Sequence, residues 1–206
     1  MSKLGKPVSQ RQLRVGEMVK QALGMIFLRD EAKLPNLDKS KKPRLVLKAP
    51  EGAENLALDM EVTSSDPEPI IGDLEMICDG DKDGADGSYT ELGPGKQWVQ
   101  VDLEEEANLY GIVVWHFHKN ARAYIDVIAQ ISNDPEFKTG VTNVFNNDHD
   151  NSFGKGAGKD LAWIETNHGR IFDVGGKKAR YIRLLSNGNT ANEMNHYVEI
   201  EVYGTR

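Results

Sequence analysis

Residues 96–118, KQWVQVDLEEEANLYGIVVWHFH, limit the possible folds more than any other stretch of the chain. In the first half Gln97, Val99, Val101 and Leu103 alternate with Trp98, Gln100 and Asp102, the period-two pattern of a half-buried strand. The second half, residues 109–118, is rich in β-branched and aromatic side chains. Alternation puts Val113, Trp115 and Phe117 on one face, and Val114, His116 and His118 on the other. Two strands joined by a short acidic turn are expected, the second burying a tryptophan on one side and showing two histidines on the other.

The remaining sequence divides by charge. Residues 1–48 carry 12 basic and 4 acidic side chains, a net of +8, whereas residues 49–206 carry 13 and 28, a net of −15. A basic arm in front of an acidic domain implies two pieces with different surroundings. We expect an arm over 1–32, a linker over 33–54 and a folded domain over 55–206. In the arm, Val15, Met18, Val19, Ala22, Leu23 and Ile26 follow the spacing of one apolar helical face, and Ser9 with Gln12 forms a capping box. Pro35, Pro43, Pro50 and the run KSKK mark the linker. No run of about eighteen apolar residues is present, so no membrane-spanning helix is expected. MSKLGKPVSQRQ lacks the apolar centre of a signal peptide, which implies a cytoplasmic protein unless an export signal is missing from this version. The single cysteine, Cys78, lies in an apolar run and reads as a small core residue.

After residue 55 the sequence turns to short strand-like runs between Gly, Asn and Asp clusters, clearest at 123–131, 162–165, 178–185 and 197–203. Such spacing without helical periodicity predicts an all-β sandwich or jelly roll. In the last of these runs Val198, Ile200 and Val202 alternate with Glu199, Glu201 and Tyr203, a strand with one wet face. The ordered motifs NLALDMEVTSS (55–65), DGDKDG (79–84), QWVQVDL (97–103), VIAQISNDPEF (127–137), ARYIRLL (179–185) and VEIEVYG (198–204) together resemble a discoidin-type domain. This is the galactose-binding-like jelly-roll β-sandwich also found at the C-terminus of blood coagulation factors. The likeness is greatest to the versions found in large bacterial proteins that handle polysaccharides. It departs from the family pattern at Asp59-Met60 and at the three glutamates 104–106, both at element ends. Separately, SQRQLRVGEMVKQAL, within residues 9–28, resembles the opening helix of ribosome-binding factor A, a small RNA-binding assembly factor.

Three groups of residues bear on function. The acidic loop at 79–86 offers hard oxygen ligands and two glycines for tight turns, without the spacing of an EF-hand. The discoidin resemblance implies a structural calcium here, held by Asp83, the carbonyls of Asp81 and Ala85, Thr90 and Glu199. The alternative is a solvated acidic turn with Asp79 capping backbone donors. The second group is FNNDHDNS with SNGNTANEMNHY. It gathers Asn146, Asn147, Asp148, His149 and Asp150, then Asn187, Asn189, Asn195 and His196, which His116, His118 and Arg122 could join. Planar amide, imidazole and guanidinium groups read hydroxyls directionally, yet asparagines equally hold loops in shape. A transition-metal or hydrolytic site at these histidines lacks the ligand spacing and nucleophile motif such chemistry needs. The third group is aromatic: Trp98 and Trp115 read as core, whereas Trp163 and Phe153 are the candidates to stack on a sugar face.

These features predict a non-catalytic binding module for carbohydrate or another polyhydroxylated ligand, with one structural calcium. An alternative is a scaffolding domain that binds a protein partner through the sandwich and the stripe Val15, Met18, Ala22 and Ile26. Nucleic-acid binding through the basic arm would be steeply salt-dependent and is opposed by the acidic domain.

Overall fold

The structure is a computed structural model that describes residues 34–40 and 45–206. The helix expected over 9–28 lies outside the described residues. Among the described residues nine strands follow in chain order: β1 (Glu54–Asn55), β2 (Val62–Ser64), β3 (Thr90–Pro94), β4 (Lys96–Trp115), β5 (Ile128–Ser132), β6 (Thr142–Asn146), β7 (Arg170–Asn187), β8 (Met194–Tyr197) and β9 (Glu199–Thr205). One short 3₁₀ turn, Leu74–Cys78, carries buried Ile77 and Cys78. The segment at 162–165 is not a strand; Ala162 makes one isolated parallel bridge to Leu37.

The two strands expected around the glutamates are a single strand of 20 residues. Its pairing with β7 slips between Asp102 and Ala107, where Glu104 has φ 67° and its N–H donates to Asp102 Oδ1 at 2.8 Å. The acidic turn is thus a bulge that bends the strand, with its three carboxylates left in water. β7 bends beside it, its register slipping again around Gly175 and Gly176, both at positive φ. Before the bend β4 pairs with β2 and the end of β7, which pairs in turn with β5. After the bend it lies between the start of β7 and β9. The two long strands therefore build both layers, and the order is β1-β9-β4-β7-β5-β6 with β3 and β8 forming a separate pair.

Between the layers lies one core that includes Val99, Val101, Leu109, Ile112, Val114, Phe145, Phe172, Ile182, Leu184 and Ile200. Cys78 belongs to it, and burial raises its thiol pKa far beyond reactivity. The outer face of β4 forms a second cluster, where Val113, Trp115 and Val198 pack with Tyr89, Ile171 and Tyr203. Both faces of the strand end are therefore covered, and His116 is fully buried instead of displayed. The wet face expected for β9 is likewise dry at Glu199 and Glu201, because Lys82 and the acidic loop fold over it. Trp163 is a core residue, edge-on to Phe145 and Phe172. Trp98 is only half-buried, with the Arg183 guanidinium 4.5 Å above its ring. Trp115 is core as expected, whereas Trp98 is more open and Trp163 more buried than expected, since neither alternation nor flanking charge says what covers a side chain.

Candidate functional site

The asparagine-rich loops meet at one end of the sandwich, together with the turn before β4. Most of their polar groups are bonded to the protein. Asn195 is fully buried; its Oδ1 accepts from Ser186 Oγ and Gly188 N–H, and its Nδ2 donates to the Gly93 and Gly95 carbonyls. Asn189 donates to Asn192 Oδ1 and the Met194 carbonyl. Asn146 links the Asp148 amide to the Gly156 carbonyl, and Asn147 Oδ1 accepts from Val127 N–H at 2.6 Å. Asp148 accepts from the amides of Ser152 and Phe153. These side chains preorganise the loops. Burial raises the pKa of the Asp148 carboxyl, and a hydrogen bond from it lowers that of the exposed Asp150. Buried Asp126 accepts from Ser152 Oγ and Asn187 Nδ2, and lies close to both acids.

Beneath the loops runs a buried polar chain. His116 Nδ1 lies 2.7 Å from Glu165 Oε1, with neither side chain exposed at all, and the imidazole stacks on Tyr124 at 4.2 Å. The Tyr124 hydroxyl meets His196 Nδ1 at 2.9 Å, and His196 Nε2 meets Glu91 Oε2 at 2.9 Å. A neutral imidazole, with one donor and one acceptor nitrogen, satisfies this arrangement. Burial, then the charges of Arg122 and His116, hold its pKa down to about 4. Arg122 is buried with its guanidinium 4.5 Å over the Phe117 ring.

Above this chain opens a cavity of about 480 Å³ lined by Gly95, Ile125, Asn187, Asn189, Ala191, Asn192 and Glu193. Of the ligand-binding residues read from the sequence, Asn187 and Asn189 line it, but Asn189 is only 4% exposed and its amide is bonded within its own loop. His116, Arg122, Asn146, Asn147, Asp148, Asn195 and His196 are buried, which takes them out of direct contact with a ligand in this conformation. His149 and Asp150 are exposed on their loop, and His118 is half-buried beside Gly84. Phe153 is half-buried, with Lys96 5.6 Å from its ring. The cavity also takes in Gly95, Ile125, Ala191 and Glu193, which the sequence does not single out. The Gly-Pro-Gly turn at 93–95, bordering the strongest strand, was the one signal that could have pointed to the first of them.

In the acidic loop, Asp79 and Asp81 accept from the amides of Asp81 and Asp83, as a solvated turn would. Asp83 also pairs with Lys119 at 2.7 Å, and Thr90 Oγ1 donates to the Asp73 carbonyl. Glu199 is different. It is fully buried, Oε2 accepts only the Gly80 amide at 3.1 Å, and Oε1 has no partner. Burial and the nearby Asp79 push its pKa up to about 8. Gly84 has φ 57°, and a Cβ there would crowd Val198 and His118.

No family model matches the chain. Among solved structures, it is similar over 73% of its length to chitosan-binding module 1 of a chitosanase/glucanase from Paenibacillus sp. IK-5, with 21% identity, 99% of that chain covered and a TM-score of 0.52. It is also similar to a fucose-binding module, SpX-3, of Streptococcus pneumoniae, with 19% identity over 74% of this chain and 99% of that one, and a TM-score of 0.54. A family 89 glycoside hydrolase from Clostridium perfringens matches 74% of this chain with 15% of its own, at 18% identity and a TM-score of 0.54. At these identities the likeness is one of fold: the chain shares the β-sandwich of these modules, in keeping with the all-β architecture expected from its sequence. A separate match of 36 residues, 75% identical, is to ribosome-binding factor A of Pelagibacter ubique (strain HTCC1062). It takes in 18% of this chain and 30% of that protein, so the chain spans under a third of the curated relative. Among the described residues no helix is long and apolar enough to cross a membrane.

Proposed function

We propose that this protein is a non-catalytic carbohydrate-binding module that takes a polyhydroxylated ligand at the loop end of its sandwich. The observation that carries the reading is the cavity of about 480 Å³ framed by Asn187, Glu193, Gly95 and Ile125, with the buried Asn189 amide bracing its wall from within the loop. Its size suits one or two sugar rings. Amides and a carboxylate offer acceptors and donors for ring hydroxyls, while Ile125 offers an apolar wall. The supporting loops are locked by their own asparagines, so little ordering is left for the binding step. The chitosan-binding and fucose-binding modules of the same fold favour a saccharide over other polyols. The test is a glycan array probed with the purified chain, followed by Asn187→Ala and Glu193→Ala. Selective binding, weakened tenfold or more by each substitution, is expected. A blank array from well-folded protein would sink the proposal.

We further propose that the acidic loop holds a calcium ion. The unpartnered, buried Glu199 Oε1 supports this, because a carboxylate oxygen without a donor or cation is costly to bury. Glu199 would hold the ion by its carboxylate, with Asp81 and Ala85 contributing carbonyls. The Asp83 carboxylate and the Thr90 hydroxyl have protein partners and would have to leave them to join. Bound calcium would supply positive charge to a region crowded by Asp79, Glu199 and Glu201, fixing the loop against β9. Millimolar calcium is expected to raise the thermal midpoint by several degrees, since occupancy at a hundredfold over Kd contributes about 2.7 kcal/mol. Chelator should reverse the rise, and Glu199→Gln should abolish it. An unchanged midpoint in the parent protein would leave the loop as a solvated turn.

A further inference from the structure

We infer that residues 34–38 are a strap that sets the geometry of the binding end, so that this stretch acts as a positioning element and not as a passive tether. The functional half of this inference rests on the carbohydrate reading above. Leu34 and Leu37 close a turn, Leu37 N–H donating to the Leu34 carbonyl at 3.3 Å, with Pro35 at its second position where the fixed φ favours it. The turn aims Asn36 between two parts of one long loop. Its Nδ2 donates to the Asn147 carbonyl at 2.9 Å and to the Asp160 carbonyl at 3.3 Å. The main chain continues the attachment: Ala162 N–H donates to the Asn36 carbonyl, and Asp38 N–H donates to the Ala162 carbonyl at 2.7 Å.

The apolar side of the strap reaches the neighbouring loop. Leu34 is 6% exposed and packs with Ala123 and Ala162, with Leu37 and Ile125 against the same cluster. Ile125 also lines the cavity. Asn147, held from outside by Asn36, holds Val127 from inside through its Oδ1. The strap thus joins the loop over 147–162 to the loop over 123–127, and each contributes to the walls or supports of the cavity. Without it, the carbonyls of Asn147 and Asp160 and both main-chain groups of Ala162 lose these protein partners. Loop placement errors near 1 Å are enough to weaken a preorganised site severalfold.

The experiment uses the full chain and two changes that leave the strands untouched, Asn36→Ala and Asp38→Pro, the second removing the donor to Ala162. Amide hydrogen exchange reads the strap without any ligand. We expect at least tenfold faster exchange over 122–127 and 147–162 in the double variant, with β4 and β7 unchanged. Retention on immobilised chitosan and on immobilised fucose, whichever the parent binds, should fall at least threefold. Parental exchange rates in both loops would overturn the inference, as would a uniform rise through β4 and β7, which signals a general loss of stability. Loops that loosen in a protein whose parent binds neither sugar would support the strap and count against the carbohydrate reading alone.

Discussion

Replacing Asn195 by alanine is expected to lower the unfolding free energy by about 3–4 kcal/mol and the thermal midpoint by roughly 10 °C. The amide is fully buried and uses all its hydrogen-bonding capacity, accepting from Ser186 and Gly188 and donating to Gly93 and Gly95. It ties the start of the β7–β8 loop to the turn before β4. Each bond contributes only about 1 kcal/mol net, but truncation leaves buried groups on both sides without partners, and that desolvation cost dominates. Asn195→Asp sharpens the test. The carboxylate keeps the two acceptor contacts but sets negative charge against two carbonyl oxygens, so Asp should be at least as destabilising as Ala near neutral pH. Denaturant melts of the three proteins at one pH decide the matter. A loss below about 1 kcal/mol for Ala would mean that the loop is held by its backbone.

The second large effect is expected at the His116–Glu165 pair. Both side chains are completely buried, and they meet at 2.7 Å beneath the loops. Glu165→Ala should cost about 3–5 kcal/mol, because it opens space beside His116 and strands the His116 Nδ1 in the core. The main-chain bond from Glu165 N–H to the Arg122 carbonyl survives the change, so the loss reports the side chain. Removing both polar groups with shape retained, as in His116→Phe with Glu165→Leu, should recover more than half of that loss. A double-mutant cycle measures the coupling. Additive losses would show that the pair is incidental packing.

Much of the fold was legible because strand periodicity is local. The alternation at 97–103 and the apolar run at 109–117 placed β4, and the spacing of runs after residue 55 defined an all-β sandwich. The single cysteine, in an apolar run, was read correctly as core. Other features escaped. The glutamates at 104–106 looked like a turn between strands, whereas β7 curves alongside and keeps the ladder continuous through a bulge. His116 and Glu199 lay on faces that alternation marks as polar, and other elements covered those faces. The asparagines had two chemically equal uses, and only their bonding partners distinguish a ligand amide from a loop brace.

Residue identity by itself determined the all-β class, the change from net positive to net negative charge near residue 48, and the supply of amides and carboxylates at two loops. Tertiary structure alone decided which of those groups remain available. Hydrogen-bond partners such as Gly93 and Asn195 lie about a hundred residues apart, and the cover over His116 comes from Tyr124, Trp163 and Tyr197. Burial and polar satisfaction depend on such distant neighbours, and no local pattern encodes them.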